Sequence, residues 1–448
     1  MDRKAPRTEQ LPTVTVQLPL YNERYVAERV ILAAAALDYP QDRLEIQVLD
    51  DSTDDTTHRV ARVVRRLRAH GVDIKHLRRE SRTGFKAGAL AHGLSQANGE
   101  LIAIFDADFI PQPDFLKRVV GEFVDPSVGM VQARWSHINE RHSLLTRVQA
   151  LQLDAHFTVE HGVRAATGLF FNFNGTAGVW RLRAIQDAGG WRADTLTEDL
   201  DLSYRAQLRG WRFVYRDDVT APAELPVEVA AYRQQQQRWA QGGAAAARLL
   251  LPRILRATLP RRVKWEAVWH LTSHFAYPLL LLVTIAGLAV GLLAETDAVR
   301  WVLAADGVLL TFAMLSLGYF YGVTAQARGG ESWRRRLFLI PAIMIIGAGI
   351  AFEQTAAVAR GVTGRRTPFR RTPKYRIAHA TDRSWRTAAY RIPSVGPALL
   401  ECAAGAALLT AGVMEALRSN VLPSGLVLLF GVGFLCVGGV SLLQLIRR

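Results

Sequence analysis

A chain of 448 residues, half of them apolar and with a formal net charge of +15, has room for one ample globular core plus a second, greasier part. The charge does not require nucleic acid as a partner, because the arginines gather beside apolar runs and no aromatic-basic or zinc-finger spacing accompanies them. Two cysteines, Cys402 and Cys436, both inside apolar segments, exclude a disulfide framework and a thiolate metal site and suit a reducing compartment.

Residues 1–10 are charged and lead into a short strand pattern, so no signal peptide is expected and the N-terminal part should stay in the cytosol. Strand-like runs at 14–18, 46–49, 74–77 and 101–105 alternate with helical patterns such as 28–37 and 56–69. This alternation predicts an α/β domain with a mostly parallel sheet covered on both faces, its ligand in the crevice beyond the strands' carboxyl ends. Polar clusters fall there: Tyr21, Asn22 and Glu23 after the first strand, Asp50 to Thr53 after the second, Asp106 and Asp108 after the fourth. Ser52 and Thr53 serve equally well as caps for the helix that starts near Asp54.

Lys86, between Gly84 and Gly88 at a helix start, is placed to meet a phosphate, although no Walker loop is present. Asp106 and Asp108, two apart, should face one side and share a divalent cation, which would offset charge growing on a departing diphosphate. Downstream, His156, Glu160 and His161 have a spacing one residue too long for a zinc helix and no evident third ligand, so they read as core or surface residues. Thr197, Glu198 and Asp199 offer a second acidic site able to take a proton from a hydroxyl. Gln235, Arg238 and Trp239 add a guanidinium to grip phosphate and an indole to stack on a sugar ring. Together these parts form a kit for sugar transfer.

Residues 227–251, which carry the Gln-x-x-Arg-Trp motif and precede a basic stretch at 253–264, predict a helix lying at a membrane surface. Four later runs, 271–294, 302–321, 397–417 and 426–446, are each long enough to span hydrocarbon. The run 337–352 is short and ends at Glu353, and the positive-inside rule favours an interfacial segment here. With four spans, Arg334 to Arg336, the block from Arg365 to Arg391 and Arg447-Arg448 all stay cytosolic. Asp306 and Glu401, ionisable and at different depths, read as interface or snorkelling positions.

The series Gln17-Leu-Pro19-Leu-Tyr21-Asn-Glu23, Leu49-Asp-Asp51-Ser-Thr-Asp54, Lys86-Ala-Gly88, Phe105-Asp-Ala-Asp108-Phe, Phe173-Asn-Gly175-Thr, Thr197-Glu-Asp199 and Gln235-x-x-Arg238-Trp239 resembles the processive family-2 glycosyltransferases. Within them it is most similar to the plant cellulose-synthase-like A enzymes, the mannan and glucomannan synthases. Cellulose synthase, hyaluronan synthase and ceramide glucosyltransferase share the coarser motifs. The stretch Arg371 to Tyr375 also resembles a post-catalytic loop of related bacterial proteins.

The resemblance implies a cytosolic nucleotide-sugar-binding, Rossmann-like domain of the GT-A type over residues 1–226. It implies interfacial helices at 227–265 and a helical membrane domain at 266–448 with about four spans and a cytosolic basic loop at 361–391. It implies that Pro19, Tyr21, Glu23, Asp51, Lys86, Asp106, Gln235 and Arg238 bind the nucleotide sugar, and that Asp106 and Asp108 present Mg²⁺ or Mn²⁺. Asp199, beside Glu198, would be the catalytic base, and Asn174, Gly175, Thr176 and Trp239 would meet the acceptor.

Relatives carry a transmembrane helix before the catalytic domain, and none is seen at the start of this sequence. One base without a carboxylate nucleophile implies a single inverting displacement. The expected activity is β-1,4-mannan or glucomannan synthesis from GDP-mannose onto a growing glycan. A UDP-glucose-dependent β-glucan synthase or a synthase adding one sugar to a lipid acceptor is the alternative, in each case at a lipid bilayer. Abundant Ala, Arg and Leu suggest a bacterial source.

Overall fold

The computed structural model describes residues 11–293, 296–328, 333–365, 367–369, 371–388, 395–419 and 425–446. Residues 1–10, Arg447, Arg448 and part of the 365–391 basic block lie outside the described residues. Strands β1 (Val14–Leu20), β2 (Leu44–Asp50), β3 (Ile74–Leu77), β4 (Leu101–Ile104), β5 (Val128–His137), β6 (Gly178–Arg181) and β7 (Arg212–Ala223) form one sheet in the order β3-β2-β1-β4-β6-β5-β7. The first four are mutually parallel, as expected from their alternation with helices. β6 runs antiparallel between β4 and β5, and β7 returns parallel to β5.

Period-two alternation decides the faces of β1. Val14, Val16, Leu18 and Leu20 are buried in the core that includes Val30 and Ile31 of α1 (Ala27–Ala35) and Val60 of α2 (Thr56–Ala69). Each large side chain so buried contributes roughly 1.5–3 kcal/mol. Thr15 and Gln17 point the other way and are also fully buried, which requires partners. Thr15 Oγ1 donates to Glu45 Oε2 at 2.6 Å, Gln17 Nε2 donates to Gln47 Oε1 at 3.0 Å, and Lys75 pairs with Glu45. This polar ladder lies under α3 (Phe85–Leu94) and fixes the register of the three strands whose ends carry Tyr21, Asp51 and the α3 approach.

Helix α4 (Phe115–Val119) follows β4, and α5 (Leu144–Ala155) starts at a capping box of Ser143 and Thr146. One π-helical turn, His156–His161, joins α5 to α6 (Gly162–Ala166). Then come α7 (Leu182–Asp187), α8 (Glu198–Leu208) and the long α9 (Val229–Arg256). A Cβ on Gly242 would fall 2.5 Å from Thr197 Cγ2, so α9 crosses directly over the start of α8.

The remaining helices are α10 (Arg261–Thr272), α11 (Ala276–Leu293), α12 (Thr296–Arg328), α13 (Trp333–Leu337), α14 (Ile340–Gly349), α15 (Ala351–Thr363), α16 (Val395–Ser419) and α17 (Gly425–Ile446). Among the described residues, four helical stretches are long and apolar enough to cross a membrane: Arg261–Ala289, Ala304–Arg328, Val395–Leu417 and Gly425–Ile446. The stretch expected to lie at the surface belongs to a pair, Trp333–Gly349 and Ala351–Thr363, that bends by 55° and would make a fifth span if counted as one.

Both basic connections expected on the catalytic side touch the catalytic domain. Arg336 pairs with Glu140 at 2.7 Å and with Asp154 at 2.9 Å, and Arg371 pairs with Glu23 at 3.1 Å. Glu401 is not a snorkelling site: with Glu353 it holds Arg233 of α9, whose guanidinium lies 2.7 Å away. Asp306 Oδ2 accepts from the Leu426 backbone N–H at 3.4 Å, at the start of α17.

Candidate active site

The loops beyond β1, β2 and β4, the starts of α3 and α8, the first half of α9 and the segment after α15 enclose a cavity of about 200 Å³. Its lining includes Pro19, Tyr21, Glu23, Asp51, Lys86, Asp106, Asp108, Asn174, Gly175, Glu198, Asp199, Gln235, Arg238 and Trp239, so residues up to 220 apart in sequence meet at one place. Thr176 is the exception. Expected beside the acceptor, it is fully buried, and its Oγ1 accepts the Asp106 backbone N–H at 2.9 Å. A short hydroxyl behind the αL residue Gly175 is turned into the sheet and supports the Asp106 turn from beneath.

Asp106 and Asp108 do not lie on a strand as their spacing suggested. β4 ends at Ile104, and a turn closed by Phe109 N–H to Asp106 O at 3.0 Å presents both carboxylates to the cavity. Each has an ammonium partner: Lys86 Nζ lies 2.6 Å from Asp106, and Lys374 Nζ lies 2.6 Å from Asp108. Lys86 also donates to Gly175 O at 2.8 Å and stands 4.0 Å from Glu198. Asp51 is gripped by both prongs of Arg79, with Nε at 3.0 Å.

The electrostatics separate the acids. Burial pushes the Asp199 carboxyl up, and the adjacent Glu198 adds to it; Lys86 only partly offsets them, leaving Asp199 at about 7. Burial likewise raises Glu198 and Asp106 against the pull of Lys86. Glu23 is pushed up to about 8 by burial despite the Arg371 charge. Lys86 is held above its usual range because Asp106 and Glu198 outweigh its own burial. Asp199 is therefore a carboxylate poised near neutrality beside a fixed ammonium.

Several lining residues had no signal in the sequence. The Arg82 guanidinium stacks 3.4 Å from the Tyr21 ring centroid, and Phe369 receives both Arg82 at 5.4 Å and Arg238 at 5.0 Å. Trp135, Glu224, Arg371, Thr372 and Lys374 complete the wall. Of these only the stretch around Arg371 carried a pattern, and its spacing does not reveal that it folds back over Asp108 and Glu23.

A second cavity of about 350 Å³ adjoins the first. Trp135, Leu153, Asn174, Thr197, Asp199, Gln235 and Trp239 line both, so Asp199 stands at the junction. The second is walled by polar and aromatic groups that include Gln152, Tyr232, His270, His274 and Tyr321. His156 and Glu160, expected to be core or surface residues, line it too.

A family model described as Glycosyltransferase like family 2 matches residues 12–242, just over half of the chain. The chain belongs to this glycosyltransferase family. It is 46% identical over 273 residues to glucomannan 4-beta-mannosyltransferase 2 of Arabidopsis thaliana, covering 60% of this chain and 51% of that one. It is 50% identical over 240 residues to probable glucomannan 4-beta-mannosyltransferase 7 of Oryza sativa subsp. japonica, covering 52% and 41%. The chain thus spans about half the length of the curated relatives it matches. These relatives are plant proteins and lend no support to the bacterial source suggested by composition. Among solved structures, the mannosyltransferase PcManGT from Pyrobaculum calidifontis, in complex with GDP-Man and Mn²⁺, aligns with a TM-score of 0.49 at 21% identity over 81% of this chain and 90% of that one.

Proposed function

We propose that this glycosyltransferase transfers mannose from GDP-mannose to a growing β-1,4-linked mannan or glucomannan, with inversion at the anomeric carbon. The observation that carries the reading is the place of Asp199, a carboxylate held near neutrality between a cavity rich in phosphate-binding groups and a second one walled by hydroxyls, amides and rings. The mannosyltransferase names of the plant relatives support mannose as the sugar.

In this reading Pro19, Tyr21, Glu23 and Asp51 surround the nucleotide, while Lys86, Gln235 and Arg238 hold the diphosphate. Asn174, Gly175 and Trp239 meet the acceptor's terminal sugar. The acceptor hydroxyl oxygen attacks the anomeric carbon, its proton passes to Asp199, and the bond to the diphosphate oxygen breaks on the opposite face, releasing the nucleoside diphosphate. Burial disfavours the charged form of the adjacent Glu198, and the Lys86 charge opposes that shift. Buried guanidinium and ammonium groups stabilise the departing charge far better than water would.

A divalent cation fits the donor set. Asp106 and Asp108 are hard oxygen ligands that already attract positive charge at 2.6 Å, and no cluster of three His, Cys, Asp or Glu groups able to hold a metal exists among the described residues. Two carboxylates, waters and substrate phosphates are how Mg²⁺ or Mn²⁺ is usually held, and the ion would neutralise the leaving diphosphate.

The chain would sit as a multi-pass protein in the cell membrane, residues 1–226 on the cytosolic side. Helix α9 and the first residues of α10, at 227–265, would lie at the interface, and 266–448 would form the membrane part. Incubating membranes that contain the chain with GDP-mannose or UDP-glucose, then digesting the product with linkage-specific hydrolases, tests this. Product cut by β-1,4-mannanase and formed from GDP-mannose is expected. A β-glucan from UDP-glucose, or a lipid bearing one sugar and no polymer, would refute it.

A further inference from the structure

From Asn174 a chain of hydrogen bonds runs along the wall of the second cavity through four residues that the reaction above does not use. Asn174 Nδ2 lies 2.9 Å from His156 Nε2, and His156 Nδ1 lies 2.8 Å from Glu160 Oε2. Arg164 donates to Glu160 Oε2 at 3.3 Å and to Glu266 Oε1 on α10 at 2.7 Å. The first two links lie on the π-helical turn, an element that costs regular helix hydrogen bonding and is frequent at functional sites.

The order of donors along this chain is determined. Burial pushes Glu160 up, but the hydrogen bond from His156 and the charges around it, Arg164 included, outweigh burial and leave it ionised. The amide nitrogen Asn174 Nδ2 only donates, so His156 Nε2 presents a lone pair to it and Nδ1 carries the proton that goes to Glu160 Oε2. That lone pair takes the Asn174 amide N–H.

The Asn174 backbone N–H is held by Gln132 Oε1 at 2.9 Å, but its side chain has little else to fix it. Its Oδ1 is closed off from water and has no partner, so the bond to His156 is the only one its side chain makes among the described residues. The next residue is pressed against the reacting groups: Gly175 O accepts from Lys86, and a Cβ built on Gly175 would lie 2.9 Å from Asp199 Oδ2.

We infer that His156, backed by Glu160, is a positioning residue that aims the Asn174 side chain, next to the Gly175 that borders Asp199, and thereby sets where the acceptor hydroxyl lies. This rests on the acceptor reading given above. Without His156 the Asn174 amide has no partner and the side chain is free to swing, while the backbone stays held by Gln132 Oε1 on the Asn174 N–H at 2.9 Å and by Lys86 on Gly175 O at 2.8 Å. Lys86 remains pinned by Asp106 at 2.6 Å, so the donor side is spared.

The test uses the full chain in membranes and follows GDP release from GDP-mannose with and without a β-1,4-mannan oligosaccharide. His156→Phe keeps a ring of similar size but neither hydrogen bond. It is expected to raise the acceptor KM by about 10-fold or more, leaving donor KM and acceptor-free GDP release within about two-fold of the parent. His156→Gln, whose one amide can accept from Asn174 and donate to Glu160, is expected to recover most of the loss. Glu160→Gln, which keeps the shape but removes the charge that holds the Nδ1 proton, is expected to show the same acceptor-selective defect.

An unchanged acceptor KM in His156→Phe would overturn the inference. So would donor and acceptor constants that worsen together, no rescue by Gln, or a silent Glu160→Gln. A parent chain whose GDP release the oligosaccharide does not stimulate defeats the acceptor reading itself, which is a distinct result and removes this inference with it.

Discussion

Gly175→Ala separates the cost of a backbone from the cost of a misplaced base. Gly175 has φ +82°, and an added Cβ would stand 2.9 Å from Asp199 Oδ2 and 3.3 Å from Lys86 Nζ. The left-handed backbone alone costs an L-residue roughly 1–2 kcal/mol of stability. The methyl then has to push the carboxylate back by about 0.5 Å to reach ordinary contact, and displacements of that order in a reacting group cost on the order of 10- to 100-fold in rate.

Gly71 supplies the control, with φ +83° and nothing within 4 Å of its built Cβ. Gly71→Ala should show the same stability loss, about 1–2 kcal/mol by denaturant or thermal unfolding, with unchanged turnover. Gly175→Ala should show that loss and a fall in kcat/KM of about 10- to 100-fold when GDP release is followed. If the two variants lose equal stability and Gly175→Ala turns over normally, Asp199 is not the base or Gly175 does not border it.

Asp199→Asn, with donor binding intact, is expected to lower kcat by about 10²- to 10⁴-fold, and near-parental turnover would remove it as the base. Since Asp199 is raised to about 7 by burial and Glu198 and must be ionised to act, kcat/KM should fall about ten-fold per unit as pH drops below neutrality. A flat profile between pH 5.5 and 7, roughly the span over which the limb is expected, contradicts this. The sign for stability is opposite: a carboxyl raised in the fold contributes stability at low pH that is lost as pH rises through about 7. Arg238→Lys keeps the charge but loses the planar fork and the stacking on Phe369, and kcat/KM should drop about 10- to 100-fold through donor KM. Chelation by EDTA should abolish product formation and Mg²⁺ or Mn²⁺ should restore it, while full activity in EDTA would deny Asp106 and Asp108 a cation.

The part of the site written in contiguous motifs was legible where three of them follow the ends of β1, β2 and β4, and the strand periods of 14–18 and 101–105 are read from a few neighbouring residues. What stayed hidden depends on contacts far apart in sequence. The pattern around Thr176 places it near the acceptor, yet its direction is set by the antiparallel insertion of β6 between β4 and β5, which no local period encodes. Asp106 and Asp108 face one cavity for a reason other than strand alternation, namely a turn closed by one backbone bond. His156 looked unremarkable because its partner, Asn174, is 18 residues away and its tautomer depends on that contact. Glu401 had no visible partner because Arg233 lies 168 positions before it.

The Arg233 cluster also explains how the long apolar helices bear on the candidate active site. Arg233 is on the same helix as Gln235, Arg238 and Trp239 and is nearly fully buried, and its charge is met by Glu353 and Glu401 from α15 and α16. A buried guanidinium that loses such partners costs several kcal/mol, so α9 is not free to rotate or slide while those helices are in place. The Val229 backbone N–H, one turn earlier, donates to Gln444 Oε1 of α17 at 2.9 Å and anchors the same end. At the far side of the site Gly242 meets Thr197 with no room for a Cβ, so the other end of this stretch is fixed against the start of α8. Arg238 and Trp239 lie between these two anchors. Their place in the cavity wall is therefore set by where the apolar helices hold α9, and not by the sheet alone.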